Sequence, residues 1–232
     1  SVRENFKAFA RKLLTHRNPY TGNEYRREPA IFSICVVNEN LLPAPWKEHP
    51  QLPALYRRAF ADWCAGKGIA VPAAFDDSPE FRRFLLDLQQ QTYDRLSGFL
   101  RDELGVRALL SDNNNGESMS QTPERATLDY TDFHGYWEHP VFIEKPWSLP
   151  HYYTQESAVR REAAVPRLGM ACRILGKPYM ITETDYCFPN HRRGEGGLLL
   201  GAYAGFQNWS GIYRFAYSHF NTAMFEPAAC TM

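Results

Sequence analysis

Two stretches of this chain are apolar almost throughout and then break abruptly into polar residues. The first is Ile31-Phe32-Ser33-Ile34-Cys35-Val36-Val37, followed by Asn38-Glu39-Asn40. The second is Pro178-Tyr179-Met180-Ile181-Thr182, followed by Glu183-Thr184-Asp185. Unbroken apolar runs of this length suit strands buried on both faces, the condition of a parallel sheet covered by helices. In such folds, polar residues at the carboxyl ends of the strands are where chemistry collects. Each run ends in a glutamate.

Between and around these runs the apolar periodicity alternates between helix and strand. Val2, Phe6, Phe9, Leu13 and Leu14 predict a helix over 2–15. A turn-rich loop at 18–23 leads to the strand at 31–37. A short helix over 53–65 is expected inside a loop insertion around 41–78. Phe81, Phe84, Leu85, Leu88, Leu96, Phe99, Leu100 and Leu104 form one stripe over 79–104, opened by Ser78-Pro79 and closed by Gly105. Strands are predicted at 106–110 and 129–134, then a long loop at 137–156. A helix over about 157–175, interrupted at Pro166, ends at Gly176. The strand carrying Glu183 follows, then a helix over 196–209 and a strand over 211–217. No repeat or disordered linker divides this single domain, 1–232.

Successive parallel strands with crossovers give an open doubly wound sheet or a barrel. No glycine-rich phosphate loop follows a strand, which weighs against a nucleotide-binding sheet. Polar residues at the ends of all five strands favour the α/β class with a (β/α)8 TIM-barrel architecture, since a barrel gathers every strand end at one mouth. Lys plus Arg equals Asp plus Glu at 26 each, so net charge favours neither nucleic acid nor an anionic membrane. The cysteines 35, 64, 172, 187 and 230 are scattered, without disulfide-framework or zinc spacing, and Cys35 reads as a small buried hydrophobe. No apolar stretch reaches membrane-spanning length, and residues 1–5 do not read as a signal peptide. The immediate start in an amphipathic helix suggests an upstream segment.

Two carboxylates at neighbouring strand ends are the minimum equipment for hydrolysing a glycosidic bond. Asn38 precedes the first of them. His134 and Tyr136, two apart on a strand, share one face, where Tyr136 is placed to donate a hydrogen bond to Glu183 and His134 to bind a hydroxyl. Aromatics make up 14% of the chain, and sugar sites use flat rings. Trp137, Trp147, Tyr186, Phe188 and Trp209 are the stacking candidates, with core packing the competing role, above all for Trp209. Asp112 and Asn113–Asn115 either reach substrate or make a turn. Asp132, His134, His139, Glu183 and His191 could converge on a metal, but the sequence has no His-Glu-x-x-His. Neither metal nor cofactor is expected. Lys177 lies at the wrong strand end for a Schiff base, and no nucleophile elbow is present.

Asn18-Pro19-Tyr20-Thr21-Gly22, Pro29-Ala30-Ile31 and Val37-Asn38-Glu39-Asn40 together resemble the segment leading to the acid/base strand of clan A glycoside hydrolases. The likeness is closest to family 5-type mannanases and cellulases. Asp132-Phe133-His134-Gly135-Tyr136 resembles that clan's sixth strand, Ile181-Thr182-Glu183 its seventh and Gly211–Tyr217 its eighth. The resemblance implies the C-terminal five-eighths of a catalytic barrel, strands four to eight. It implies Glu39 as acid/base, Glu183 as nucleophile and Asn38 facing a sugar 2-hydroxyl. A retaining hydrolase of a β-linked glycoside or polysaccharide is the implied activity, secreted or periplasmic by its substrate. The alternative is a non-catalytic carbohydrate-binding or structural barrel fragment. Open sheet edges in a five-stranded piece would invite self-association.

Overall fold

Capping and aromatic packing build the N-terminal part of the chain. In the computed structural model, which describes residues 1–40, 47, 49–116 and 119–216, Ser1 Oγ accepts the Glu4 N–H and opens α1 (Val2–Leu14). β1 covers only Ser33–Cys35, shorter than the predicted 31–37, and Phe32 beside it is 50% exposed. Cys35 is half-buried, its thiol directed at the Val37 carbonyl. α2 (Leu52–Lys67) ends at Gly68 in the left-handed conformation that glycine adopts without strain. α3 (Pro79–Gly98) starts as the sequence predicts: Ser78 Oγ accepts the Phe81 N–H at 3.1 Å, and Pro79 occupies the first turn. Its last predicted turn, Phe99–Glu103, is wound wider as a π-helix.

Phe60, Cys64, Phe81, Phe84 and Leu85 form the core that joins α2 to α3, with Phe60 edge-on to Phe81 at 5.1 Å between ring centroids. Such aromatic pairs are worth about 0.5–1.5 kcal/mol beyond area burial. The helix expected inside the 41–78 insertion is therefore anchored. β2 (Leu109–Ser111) pairs with β1, and the Leu109 N–H donates to Phe32 O at 2.8 Å. The chain divides into two compact units, Ser1–Leu110 and Ser111–Met232. Residues 41–46 and 48 of the insertion, Tyr217 of the last predicted strand, and Cys230 lie outside the described residues.

The second unit contains α4 (Thr122–Arg125), β3 (Thr131–Trp137), the antiparallel pair β4 (Val141–Phe142) and β5 (His151–Tyr152), and α5 (Ala164–Gly169). β6 (Tyr179–Tyr186), α6 (Glu195–Gln207) and β7 (Gly211–Arg214) complete it. The small hairpin falls in the stretch predicted as loop. The helix predicted over 157–175 shrinks to α5, because Pro166 sits in its first turn, where a missing N–H costs nothing. β3, β6 and β7 form a parallel sheet in the order β3-β6-β7. Phe133, Tyr179, Ile181, Tyr186, Leu200 and Trp209 are the main members of the core on its helix side. Among the described residues all three sheets are small and open, and no helix is long and apolar enough to cross a membrane.

Helix-to-sheet contact in this unit is closest at Gly196. A Cβ placed there would lie 2.4 Å from the Tyr186 ring, whereas one at Gly201 would meet nothing within 4 Å. Two changes of the same kind in one helix should therefore have opposite signs. Gly201→Ala should stabilise by about 0.5–1 kcal/mol through helix propensity. Gly196→Ala should destabilise by about 1–3 kcal/mol through overpacking. Urea unfolding of the two variants checks the pair.

Candidate active site

A β-bulge in β6 decides which side chains share a face. Phe133 pairs with Ile181 but His134 pairs with Glu183, so Thr182 is the extra residue. Before the bulge, Tyr179 and Ile181 point into the helix-side core; after it, Thr184 and Tyr186 do, at 1% and 3% exposure. The strand has changed parity. In regular alternation Glu183 would follow Ile181 into the core. The bulge instead turns Thr182 and Glu183 to the opposite face, where β3 presents Asp132, His134 and Tyr136.

On that face the Tyr136 hydroxyl donates to Glu183 Oε1, and His134 Nδ1 lies 3.3 Å from Glu183 Oε2. Both oxygens of one carboxylate are thus engaged by β3, which fixes its orientation. Thr182 Oγ1 donates to Asp132 Oδ2 at 2.8 Å, and Asn114 Nδ2 lies 3.3 Å from the same oxygen. The His134 N–H donates to Asn114 O at 2.9 Å, tying the segment after β2 to β3. Glu183 remains partly open, with 22% of its side chain exposed, while the His134 side chain is 5% exposed.

Asp132 carries more weight than its sequence context conveyed, where it stood in the segment likened to a sixth strand and among five possible metal ligands. It is 2% exposed, and its Oδ1 has no hydrogen-bond partner among the described residues. Burial pushes its carboxyl above the usual aspartate range, against the opposing hydrogen bonds from Thr182 and Asn114. Asp112 and Asn113–Asn114 are buried too, not an exposed turn. Asn113 Nδ2 donates to Glu124 Oε2 at 2.9 Å and its Oδ1 accepts from Gln121 at 2.9 Å. These residues form a buried, hydrogen-bonded polar layer.

The chain matches no protein-family model and no curated protein.

Three of the expected sugar contacts do not join the Glu183 face. Tyr186 is carried to the helix side by the parity change, and Trp209 is buried in the same core, edge-on to Tyr179 at 5.2 Å. Trp137 packs against that core and donates its indole N–H to Glu156 O at 3.1 Å. Another aromatic series runs on from Tyr136. The Tyr136 ring meets His139 at 5.7 Å, and His139 meets Trp147 at 5.7 Å. Trp147 is 69% exposed. Phe188, 43% exposed, lies under the Arg193 guanidinium.

In the first unit, Glu39 and Asn38 follow β1 and are exposed. Glu39 has φ +52°, a left-handed conformation uncommon outside glycine and enriched at functional sites. Asn40 O, next along, lies 3.5 Å from Nε2 of the buried Gln89 on α3.

The state of Asp132 has a measurable consequence. A buried carboxyl with a raised pKa keeps its proton to higher pH in the folded than in the unfolded chain. The folded protein then binds more protons above the unfolded value of about 3.9, and stability falls as pH rises from there through the folded pKa. Asp132→Asn mimics the protonated form and removes that term. Its stability relative to the parent should rise with pH across that window and then level off, as urea unfolding at stepped pH would show.

Proposed function

We propose that the chain is a retaining glycoside hydrolase of (β/α)8 type, with β1, β2, β3, β6 and β7 as strands four to eight. It acts on a β-linked oligo- or polysaccharide, in a secreted or periplasmic setting, with Glu183 as nucleophile and Glu39 as acid/base. The carrying observation is the orientation of Glu183: a carboxylate turned out of the core by a bulge, with each oxygen held by a different β3 side chain. Preorganisation of this kind is what a nucleophile needs, since the attacking oxygen must be held in line with the anomeric carbon.

In the first step a Glu183 oxygen bonds to the anomeric carbon as the glycosidic C–O bond breaks, and Glu39 gives its proton to the departing oxygen. In the second, Glu39 takes a proton from water, whose oxygen attacks the same carbon and releases Glu183. The net configuration is retained. This reading requires the two carboxyl groups to act about 5–5.5 Å apart across one sugar. Asn38 and His134 supply hydrogen bonds to ring hydroxyls, and His139 and Trp147 extend from Tyr136 as a platform for further sugar units. Self-association through the sheet edges belongs to the same reading.

Azide rescue with aryl β-glycosides of gluco, galacto and manno configuration tests the assignment. Glu183→Gly should lose turnover and, with azide, form the α-glycosyl azide. Glu39→Ala should lose about 10²–10⁴-fold on substrates with poor leaving groups and form the β-glycosyl azide. Inverted product from the parent chain, or unchanged turnover in either variant, would overturn it. Sugar binding without turnover in the parent would favour a carbohydrate-binding fragment.

A further inference from the structure

The carboxylate of Glu138, one residue past β3, gathers hydrogen bonds that the Glu183 site does not use. Its Oε1 accepts the Thr154 hydroxyl and, at 3.4 Å, the Glu156 N–H. Its Oε2 accepts the Gln155 N–H at 3.0 Å and Asn190 Nδ2 at 2.9 Å. Hydrogen bonds to an ionised acceptor are roughly twice as strong as neutral ones. Thr154, Gln155 and Glu156 are consecutive, so one side chain at the end of β3 collects the whole return leg of the excursion that starts there.

Other contacts close the same junction. The Trp137 indole N–H and Asn190 Nδ2 both donate to Glu156 O at 3.1 Å, and the His191 N–H donates to Gln155 Oε1 at 2.9 Å. The Asn190 side chain that bridges Glu138 and Glu156 is fully buried. Just beyond, the Glu195 carboxylate accepts Ser157 Oγ at 2.8 Å and the Val159 N–H at 3.1 Å. Both feet of the excursion are fixed, at 138 and at 154–159.

The span between them, 139–153, has little regular structure of its own. β4 and β5 contribute two residues each, and a two-stranded hairpin by itself is marginally stable in water. The span nevertheless carries a connected aromatic series. Phe142 meets Trp147 at 5.3 Å and His151 at 5.7 Å between ring centroids. Trp147 is 69% exposed, and its backbone lies at φ +60°, in the left-handed region. A bulky residue holds that conformation only where its surroundings impose it, and such positions cluster at functional sites. His139, directly after Glu138, joins this series to Tyr136, the donor to Glu183.

We infer that Glu138 is a positioning residue: by tying 154–156 and Asn190 to the end of β3, it holds His139 and Trp147 beside Tyr136 as a preformed wall for substrate. Resting on the hydrolase reading, the wall selects for substrate length, engaging β-linked oligosaccharides and not single-sugar aryl glycosides. Glu138 acts through the wall and not on the reacting atoms.

Hydrogen exchange read by mass spectrometry on the whole chain tests the positioning without any substrate. In Glu138→Gln, amides across 139–153 should exchange about tenfold faster or more, while those of β3 and β6 keep their protection. Thr154→Val should loosen the same span, and Thr154→Ser, which keeps the hydroxyl, should restore it. Unchanged exchange over 139–153 overturns the inference, as does loosening that spreads through β3 and β6, the mark of general destabilisation. Steady-state kinetics tests the selection, on cellohexaose or mannohexaose matched to the aryl glycoside that is turned over. Glu138→Gln should raise KM for the hexasaccharide about three- to tenfold, what an aromatic contact is worth, with kcat within about twofold. On the aryl glycoside both constants should stay within about twofold. An equal loss on both substrates, or none on the hexasaccharide, overturns the wall. A parent chain that turns over neither substrate overturns the hydrolase reading and the length selection with it, while the exchange result decides the positioning on its own.

Discussion

The extra residue at Thr182 is the constraint on which the second unit's organisation depends. A strand between a core and an open face has one free choice, its parity, and a single inserted residue reverses it. Ahead of the bulge, β6 gives Tyr179 and Ile181 to the core. Beyond it, the strand gives Thr184 and Tyr186 to the core and delivers Glu183 to the other face. The carboxylate held by Tyr136 and His134 follows from that one irregularity. Without it, a glutamate would be driven into an apolar layer, where an unpaired charge is expensive.

The site has a supporting layer whose energetics differ from those of the carboxylate it supports. Asp132, Asn113, Asn114, Gln121 and Glu124 are buried and joined by hydrogen bonds, so their cost of desolvation is offset only while the network is intact. Such a layer resists small displacements, because moving one member strands another. Asp132, tied to Thr182 at the bulge, connects this layer to the strand that carries Glu183. Fixing the bulge residue fixes the direction of its neighbour.

Much of this was legible in the sequence where local rules dominate. Ser78-Pro79 and Gly105 marked the ends of the long helical segment because capping and left-handed glycine are local chemistry, and Tyr136 could be assigned to Glu183 because residues two apart on a strand share a face. The parity change was not legible. Ile181-Thr182-Glu183-Thr184 alternates well enough to pass for a regular strand, and only pairing with β3 reveals the extra residue. Tyr186, three residues beyond Glu183, faces away from it with or without the bulge, and lies in the core. Trp209, Trp137 and Trp147 are equally aromatic in sequence, and exposure, which sequence does not carry, separates the first two from the third. The polar run at 112–115 offered either a substrate contact or a turn, because burial of the four polar residues Ser111–Asn114 is worthwhile only with partners such as those of Asn113 and Asn114, which lie 8–18 positions away.

The central claim is that Glu183 is a nucleophile, and covalent trapping addresses it most directly. The whole chain would be incubated with activated 2-fluoro glycosides of gluco, galacto and manno configuration, weighed intact by mass spectrometry, then digested and mapped. One sugar adduct per chain, carried by Glu183, is the predicted result. A folded chain that takes up none of the three sugars, or carries the adduct on another residue, would contradict the account.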